Sequence, residues 1–328
     1  MENMDKNQVF TVKIYFINPI DLLSVIVNTL IELEYEACAI SDLDKENLLK
    51  ILPENNRNVI FICIRNKLEI DNWLKYAEQL YQMKDTHIII GAFVYDNIDQ
   101  ESKNRLLEQN ISTIEFGTLK SNALGVMRNI LTFFEAKGKR SYIRTKTYGI
   151  AEAYFYVKSR EEPITAKITD ISAYACSCEI DLTNKFFFEV DIYFSEILFV
   201  LGGIRVRTAA KVLGFSKLTP NIYILKFCTA KIDGGKIIYE ESITPEISRK
   251  LHDYIRKCLK DELSEKFARL NEEKNPQLKV EAKHKEQKIE NKKMNLKQKE
   301  DKVEQKFSDD KNTEDGKNET KIVENKQN

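Results

Sequence analysis

Residues 59–64 read Val-Ile-Phe-Ile-Cys-Ile and are apolar at every position. A short, uninterrupted apolar run is typical of a strand that a parallel sheet buries on both faces. Outward from this run, further apolar strands alternate with segments whose apolar residues recur at helical spacing. The other predicted strands are 9–17, 37–40, 87–94 and 112–116, and the predicted helices are 20–35, 44–52, 68–83, 100–108 and 122–135. The alternation predicts an α/β domain with a doubly wound parallel sheet over residues 1–136.

After residue 136 the pattern changes to an alternation of period two. Residues 204–209, Ile-Arg-Val-Arg-Thr-Ala, place apolar and charged side chains on opposite faces of a strand. Six strands are predicted, at 151–157, 164–169, 175–180, 189–194, 204–213 and 222–229. Short strands at this spacing predict a six-stranded antiparallel β-barrel. Apolar residues at helical spacing over 245–259 predict a C-terminal helix that caps the barrel or packs at the domain boundary.

Three parts follow from these patterns: an α/β domain at 1–136, a barrel with its helix at 137–262, and a charged tail at 263–328. Residues 136–139, Ala-Lys-Gly-Lys, are predicted to be a flexible basic hinge between the first two. The tail is rich in Lys, Glu, Asp, Asn and Gln, so we expect it to be mostly disordered. Apolar residues recur there at heptad spacing, but a coiled coil needs a second apolar position per heptad. Those recurring residues are Ala282, Ile289, Leu296 and Val303.

Charge is balanced over the whole chain and unbalanced between its parts. The formal net charge is zero, whereas residues 1–135 carry −7 and residues 136–236 carry +6. Such asymmetry bears on partners rather than on fold. The positive segment suits an anionic ligand, and the two parts are equally able to attract each other, so both interpretations stay open.

Several function classes are disfavoured by composition. No CxxC pair accompanies the six cysteines, and Cys176-Ser-Cys178 lacks a second pair, so no metal site is predicted and the thiols are expected to be reduced. The three histidines fit no nucleophile–base arrangement, so neither an enzyme nor a cofactor is predicted. No apolar run approaches the roughly 18 residues of a membrane span, and no signal pattern is evident. We therefore expect a cytoplasmic protein without membrane insertion.

Two short elements carry the chemistry: Arg140 and Arg144, four residues apart, and then Asp170-Ile-Ser172. Guanidinium forks match the paired acceptors of phosphates and purine edges. An aspartate and a hydroxyl suit the donor-rich edge of a guanine. Each element alone is common, as a solvated basic face or as an ordinary turn. Together they predict a site for a phosphate-bearing guanine ligand rather than a catalytic centre.

Arg-x-x-x-Arg followed by Asp-x-Ser at the start of a six-stranded barrel resembles the PilZ domain, the receptor family for cyclic di-GMP. The resemblance covers about residues 138–259. It implies that Arg140 and Arg144 grip the phosphates and the guanine Hoogsteen edge, or stack on the base. It also implies that Asp170 accepts hydrogen bonds from the guanine N1–H and amine. Ser172 would form a hydrogen bond near the same base or phosphate.

Two further positions belong to the predicted site. Lys139, just before the first arginine, would add positive charge for the phosphates. The family pattern continues to a glycine, but this chain has Ala175 at that place. Because glycine permits close backbone approach and positive φ, the alanine is expected to weaken binding without preventing it.

The order of strands and helices over 1–136 resembles the receiver domains of two-component signalling, but the chemistry is missing. Receivers place an acidic pair after the first strand, where this chain has Asn18-Pro19, and an aspartate at the end of the third, where it has Arg65-Asn66. Without an acidic cluster there is no Mg²⁺ site. We predict a receiver-like domain used for docking. A nucleotide-binding domain is disfavoured because no Gly-rich loop follows the first strand.

The sequence thus predicts a non-enzymatic cyclic di-GMP receptor that changes its inter-domain arrangement to regulate an unidentified protein partner through the N-terminal domain. Motility would be the usual pathway for the family. Nucleic acid is not predicted as a partner, because the short basic stripe Arg205, Arg207 and Lys211 is too small a face. The alternative is a ligand-independent protein–protein adaptor with a degenerate PilZ barrel.

Overall fold

A computed structural model describes residues 12–138 and 140–274 of the 328-residue chain. Lys139, most of the charged tail and the four heptad positions lie outside the described residues. The chain divides into two compact units, Met1–Phe267 and Ala268–Asn328. The first unit contains a parallel sheet with its helices, a β-barrel, and the helix that follows the barrel. No helix in the described ranges has the length and apolar character that crossing a bilayer requires.

The first half of this unit is a doubly wound α/β sheet, as predicted. The sheet contains five parallel strands in the order β2-β1-β3-β4-β5. Its elements are β1 (Val12–Ile17), α1 (Asp21–Glu32), β2 (Ala37–Ile40), α2 (Lys45–Ile51), β3 (Arg57–Ile64), α3 (Ile70–Tyr81), β4 (His87–Val94), α4 (Gln100–Glu108), β5 (Ser112–Glu115) and α5 (Phe116–Phe133).

The apolar run at residues 59–64 lies in the central strand β3. Every residue of β3 after Arg57 is buried, because β1 and β4 flank the strand and helices cover both faces. Phe61 of β3 stacks on Phe16 of β1, with ring centroids 5.0 Å apart, and lies 5.4 Å from Phe93 of β4. These three rings form the centre of the α/β core.

Helix α5 begins earlier than the predicted 122–135. The helix starts at Phe116 and is broken at Asn122, whose φ of −157° and ψ of 56° are not helical. The Asn122 side chain accepts a hydrogen bond from the N–H of Gly125 at 3.1 Å, as an N-cap does. The sequence pattern therefore located the start of the second helical segment and missed the first.

The second half is the predicted closed barrel of six antiparallel strands. Its closed order is β7-β8-β9-β12-β11-β10, and β10 pairs with β7 to complete the circle. Two unpredicted strands extend it: β6 pairs with β8, and β13 pairs with β12. The elements are β6 (Thr145–Lys146), β7 (Ala151–Phe155), β8 (Ile164–Ile171), β9 (Ala175–Glu179), β10 (Tyr193–Leu201), β11 (Ile204–Phe215), β12 (Ile222–Asp233), β13 (Lys236–Glu240) and α6 (Pro245–Lys274).

The predicted strand at 189–194 is misplaced. A 3₁₀ helix covers Leu182–Phe187, and Asp191 has a φ of +70°, in the left-handed region that does not continue a strand. Strand β10 therefore begins only at Tyr193 and runs to Leu201. The second half of β10 is apolar at every position from Ile197 to Leu201, so no alternation of polar and apolar residues indicated a strand there.

Within the first unit, helix α6 packs on the barrel and on the α/β sheet. On the barrel side, Tyr254 is fully buried and its hydroxyl donates to the carbonyl of Tyr148 at 3.3 Å. On the sheet side, Arg256 pairs with Glu32 at 3.4 Å, and Lys266 pairs with Glu54 at 2.7 Å. This helix is the shared support of the two halves.

His252 of α6 makes the most buried of these polar contacts. Its Nε2 lies 2.9 Å from Glu34 Oε1, and its Nδ1 lies 2.8 Å from the carbonyl of Ser248. Burial alone would lower the pKa of His252, but the hydrogen bond and charge of Glu34 outweigh it, and the pKa is raised above the ordinary 6.5.

This raised pKa predicts a pH-dependent stability. Because the folded state holds the His252 proton more tightly than the unfolded state, the stabilisation is complete below pH 6.5 and is lost as pH rises through the folded-state pKa. We expect the free energy of unfolding, measured with urea between about pH 6 and 8.5, to decrease over that range. The variant His252→Gln should lose this component, and an unchanged pH profile in that variant would contradict the assignment.

Candidate ligand-binding site

An open pocket with a volume of about 470 Å³ lies beside the barrel, where the segment before β6 meets the turn between β8 and β9. All five motif residues that the structure describes line this pocket: Arg140, Arg144, Asp170, Ser172 and Ala175. The short strand β6 brings them together, since its residues Thr145 and Lys146 pair with Ile171 and Asp170. Residues of the two motifs, such as Arg144 and Asp170, which are 26 positions apart in the sequence, therefore line the same pocket.

Arg144 and Asp170 form the polar centre of the pocket. Arg144 Nε donates to Asp170 Oδ1 at 2.5 Å, and Nη2 donates to the hydroxyl of Ser177 at 3.1 Å. The hydrogen bond that Arg144 donates to Asp170 raises the pKa of Arg144 above its usual value, although partial burial opposes it. The Arg144 side chain is 48% exposed, so N–H groups not used in these bonds remain accessible to a ligand.

Arg140 is the accessible cation of the site. The residue is exposed and makes no hydrogen bond or ion pair with any residue in the described ranges. It also lines a small crevice that contains Glu34 and Glu36. An unpaired guanidinium at a pocket mouth is suited to an anionic ligand.

Ser172 builds the turn rather than presenting a hydroxyl to the pocket. Its Oγ donates to the carbonyl of Ala175 at 2.9 Å and accepts from the N–H groups of Tyr174 and Ala175 at 3.2 and 2.9 Å. One donor and two acceptor positions are all that a hydroxyl has. In this arrangement Ser172 therefore holds the β8–β9 turn, and no ligand bond is left for its side chain to make.

Ala175 occupies the glycine place of the family pattern without backbone strain. Its φ is not positive, so the left-handed conformation that only glycine adopts easily is not needed here. Ala175 begins β9 and pairs with Lys226 of β12. The remaining difference from glycine is one methyl group on the pocket wall.

Two tyrosines that the sequence analysis did not assign also line the pocket. The rings of Tyr142 and Tyr174 stack with centroids 4.9 Å apart and an interplanar angle of 10°. Lys226 Nζ lies 5.0 Å from the Tyr174 ring and pairs with Glu241 at 2.7 Å. Flat aromatic faces are platforms on which nucleobases stack. Their positions in the sequence could have indicated this role, since Tyr142 lies between the two arginines and Tyr174 lies between Ser172 and Ala175.

Comparisons with known proteins found similar structures only. No protein-family model and no curated protein matches the sequence. The similar structures include YcgR in complex with c-di-GMP from Escherichia coli, at 15% identity and a TM-score of 0.31, covering 40% of this chain and 50% of that one. The PilZ domain of YcgR with c-di-GMP, from the same organism, matches at 16% identity and a TM-score of 0.28, covering 39% and 96%.

A third similar structure is the inhibitor of motility MotI/DgrA from Bacillus subtilis, at 17% identity and a TM-score of 0.27, covering 38% of this chain and 52% of that one. This chain therefore spans about half the length of the YcgR and MotI chains that it matches. One of the structures is itself a PilZ domain, the family that the motif resembles. At these identities and TM-scores the likeness carries no argument about function, which must rest on the pocket.

The predicted flexible hinge, residues 136–139, lies between two anchored residues, Ala136 and Ile143. Ala136 is 2% exposed, and its N–H donates to the carbonyl of Leu131 at 2.8 Å. Ile143 is also 2% exposed, and its N–H donates to the carboxylate of Glu34 at 2.7 Å. The arginine-bearing segment is thus connected directly to the α/β sheet.

At the carboxyl edge of the parallel sheet, the guanidinium of Arg65 lies between the ends of two strands. Arg65, which follows β3, donates from Nη2 to Asn18 Oδ1 at 3.1 Å and so spans the gap between the ends of β1 and β3. Across the part of the chain that the structure describes, no three His, Cys, Asp or Glu side chains are grouped to hold a metal ion. The positively charged side chain of Arg65 therefore lies at the place where receiver domains have an acidic cluster.

Proposed function

We propose that this chain is a PilZ-type, non-enzymatic receptor that binds cyclic di-GMP in the pocket between the arginine segment and the β8–β9 turn. The observation that carries the proposal is the convergence of Arg140, Arg144 and Asp170, from two separate segments, on one open cavity of about 470 Å³. Pockets of this volume accommodate ligands of nucleotide size.

The pocket groups match the chemistry of a cyclic purine dinucleotide. Arg140 is available to a phosphate, and the open N–H groups of Arg144 suit a second phosphate or the acceptors of a guanine. The Asp170 carboxylate accepts from donors such as the guanine N1–H and amine. The Tyr142–Tyr174 pair offers ring faces to a base.

Binding without catalysis is favoured by the same residues. Asp170 is engaged by Arg144 and is therefore a poor general base. Burial, together with the neighbouring Cys178, raises the pKa of Cys176 well above its ordinary value, so this pocket thiol stays protonated and weakly nucleophilic. No pair of pocket residues is arranged as a nucleophile and its base.

The regulatory part of the proposal concerns the attachment of the arginine segment to the sheet. A ligand that draws Arg140 and Arg144 inward would act on the segment whose Ile143 is bound to Glu34. If the ligand makes different contacts in two arrangements of sheet and barrel, it shifts their populations. A protein partner that binds the α/β part would sense that shift, and the proposal requires neither a nucleic acid nor insertion into a membrane.

Calorimetric titration with cyclic di-GMP tests the receptor function. The wild-type chain is expected to bind with a saturable heat, and Arg140→Ala to weaken binding about tenfold through loss of one charged contact. Arg205→Ala is the matched control, because Arg205 is exposed on β11 and does not line the pocket. Absence of heat from the wild type at high micromolar ligand would refute the proposal.

An adaptor that ignores the dinucleotide is the second candidate. The observation that favours it is that Arg144, Asp170 and Ser172 all make bonds within the protein, so the motif has a structural use. This reading expects Arg140→Ala to leave partner binding intact. Capture of a partner by wild type and by Arg140→Ala, equally and without added ligand, would support it.

A further inference from the structure

Glu34 occupies a helix end whose conformation favours glycine. Helix α1 ends at Glu32, and Glu34 follows with a φ of +65°. The N–H of Glu34 donates to the carbonyl of Ile31 at 3.0 Å, and that of Tyr35 donates to Leu30 at 2.9 Å. This is the Schellman pattern, in which the left-handed position is usually glycine. What the glutamate adds at this position is its side chain.

That side chain joins three segments of the first unit. Glu34 Oε2 accepts from the N–H of Ile143 at 2.7 Å, and Oε1 lies 2.9 Å from His252 Nε2. The carboxylate is 12% exposed and the imidazole 7% exposed. One buried carboxylate therefore connects the end of α1, the arginine segment and helix α6.

The His252 ring is oriented for this contact. Its other nitrogen, Nδ1, lies 2.8 Å from the carbonyl of Ser248, which can only accept a hydrogen bond. The Glu34 carboxylate also only accepts, so a ring that donates to both groups is the imidazolium form, which the raised pKa of His252 favours. The contacts at Nδ1 and Nε2 fix the orientation of the imidazole ring, and the contact at Nε2 holds the Glu34 carboxylate in place.

The arginine segment depends on this carboxylate for its main-chain attachment. In the described ranges, the N–H of Ile143 makes the one main-chain hydrogen bond found within residues 140–144. Its neighbours Tyr142 and Arg144 both line the ligand pocket. Fixing the backbone at Ile143 therefore fixes the starting point of both pocket side chains.

We propose that Glu34 is a positioning residue for the ligand pocket: it holds the arginine segment so that Arg140 and Arg144 converge on the same cavity. The inference rests on the proposed receptor function. It makes the α/β part a contributor to the ligand site, although the described residues that line the pocket all belong to the arginine segment and the barrel. The affinity of the pocket then depends on the contact between sheet, segment and helix.

Two substitutions at position 34 distinguish the effect of losing the Glu34 hydrogen bonds from the effect of disturbing the fold. Glu34→Gly removes the carboxylate and suits the positive φ, so the helix end is preserved. Glu34→Gln keeps an acceptor for Ile143 and offers an amide donor to a neutral His252. Glu32→Gln is the control, because Glu32 contacts Arg256 of α6 but not the arginine segment.

The experiment is calorimetric titration of the full chain and its variants with cyclic di-GMP, together with amide hydrogen exchange over residues 140–144 without ligand. We expect Glu34→Gly to weaken binding about tenfold or more, as loss of a hydrogen bond to a charged group does, and to speed exchange at Ile143. Glu34→Gln should stay within about threefold of wild type, and Glu32→Gln should match wild type.

Wild-type affinity and unchanged exchange in Glu34→Gly would overturn the positioning role while the receptor function stands. Equal losses in Glu34→Gly and Glu34→Gln would overturn it too, because charge rather than position would then control the affinity. A wild-type chain that does not bind the dinucleotide would overturn both proposals. The unfolding temperature of each variant shows that the compared proteins are folded.

Discussion

Replacing Arg144 by alanine is expected to weaken cyclic di-GMP binding at least a hundredfold. This loss is larger than the loss of about tenfold expected for Arg140→Ala. The substitution removes a fork that would contact the ligand, and it leaves the Asp170 carboxylate, 21% exposed, without its charged partner. Loss of a hydrogen bond to a charged group costs about 1.5–3 kcal/mol, and the Arg144 fork can make more than one such bond. A hundredfold loss of affinity corresponds to about 2.7 kcal/mol.

Calorimetry on Arg144→Ala and Arg144→Lys checks this expectation. Lysine keeps the positive charge but not the planar fork, so its affinity should lie between those of wild type and the alanine variant. Binding by Arg144→Ala within about threefold of wild type would mean that the Arg144–Asp170 pair serves the barrel alone.

Replacing Tyr254 by alanine is expected to have the largest effect on stability, a loss of about 3–5 kcal/mol in the free energy of unfolding. Tyr254 is fully buried where α6 packs on the barrel, so its removal leaves a cavity that the surrounding structure fills only in part. Tyr254→Phe removes only the hydroxyl and its bond to Tyr148, which should cost about 1 kcal/mol.

Urea unfolding measures both changes. Tyr156→Ala is the matched control, because this tyrosine is 49% exposed and its loss should change stability by less than about 0.5 kcal/mol. A cost below about 1 kcal/mol for Tyr254→Ala would show that α6 does not depend on this side chain for its attachment to the barrel.

The fold could be predicted wherever a local pattern reflects burial. The apolar run that forms β3 is such a case, because a strand covered on both faces needs no polar position. The start of β10 was missed because Asp191 adopts a positive φ, which a spacing of apolar residues does not reveal. Helix α5 was shortened in the prediction because Asn122 caps a second segment in the middle of a longer helix.

The candidate site was predictable to the extent that its residues lie in two short motifs. The spacing located Arg140, Arg144 and Asp170, but the bonds of Ser172 within its own turn are not visible in a motif. The stacking of Tyr142 on Tyr174 joins residues from the two separate motifs, and the bond from Ile143 to Glu34 spans 109 positions. Contacts of that separation depend on the closed barrel and on helix α6, which local patterns do not specify.

The Ser172 turn has a consequence for the kinetics of any ligand that enters the pocket. Three hydrogen bonds fix this wall before the ligand arrives, so Asp170 and the start of β9 need no rearrangement on encounter. On the opposite wall, the backbone is held at Ile143 by Glu34, and the Arg140 side chain is exposed. Affinity differences within one interface reside mostly in the dissociation rate. Substitutions on either wall of the pocket are therefore expected to change the residence time of the ligand more than its rate of capture.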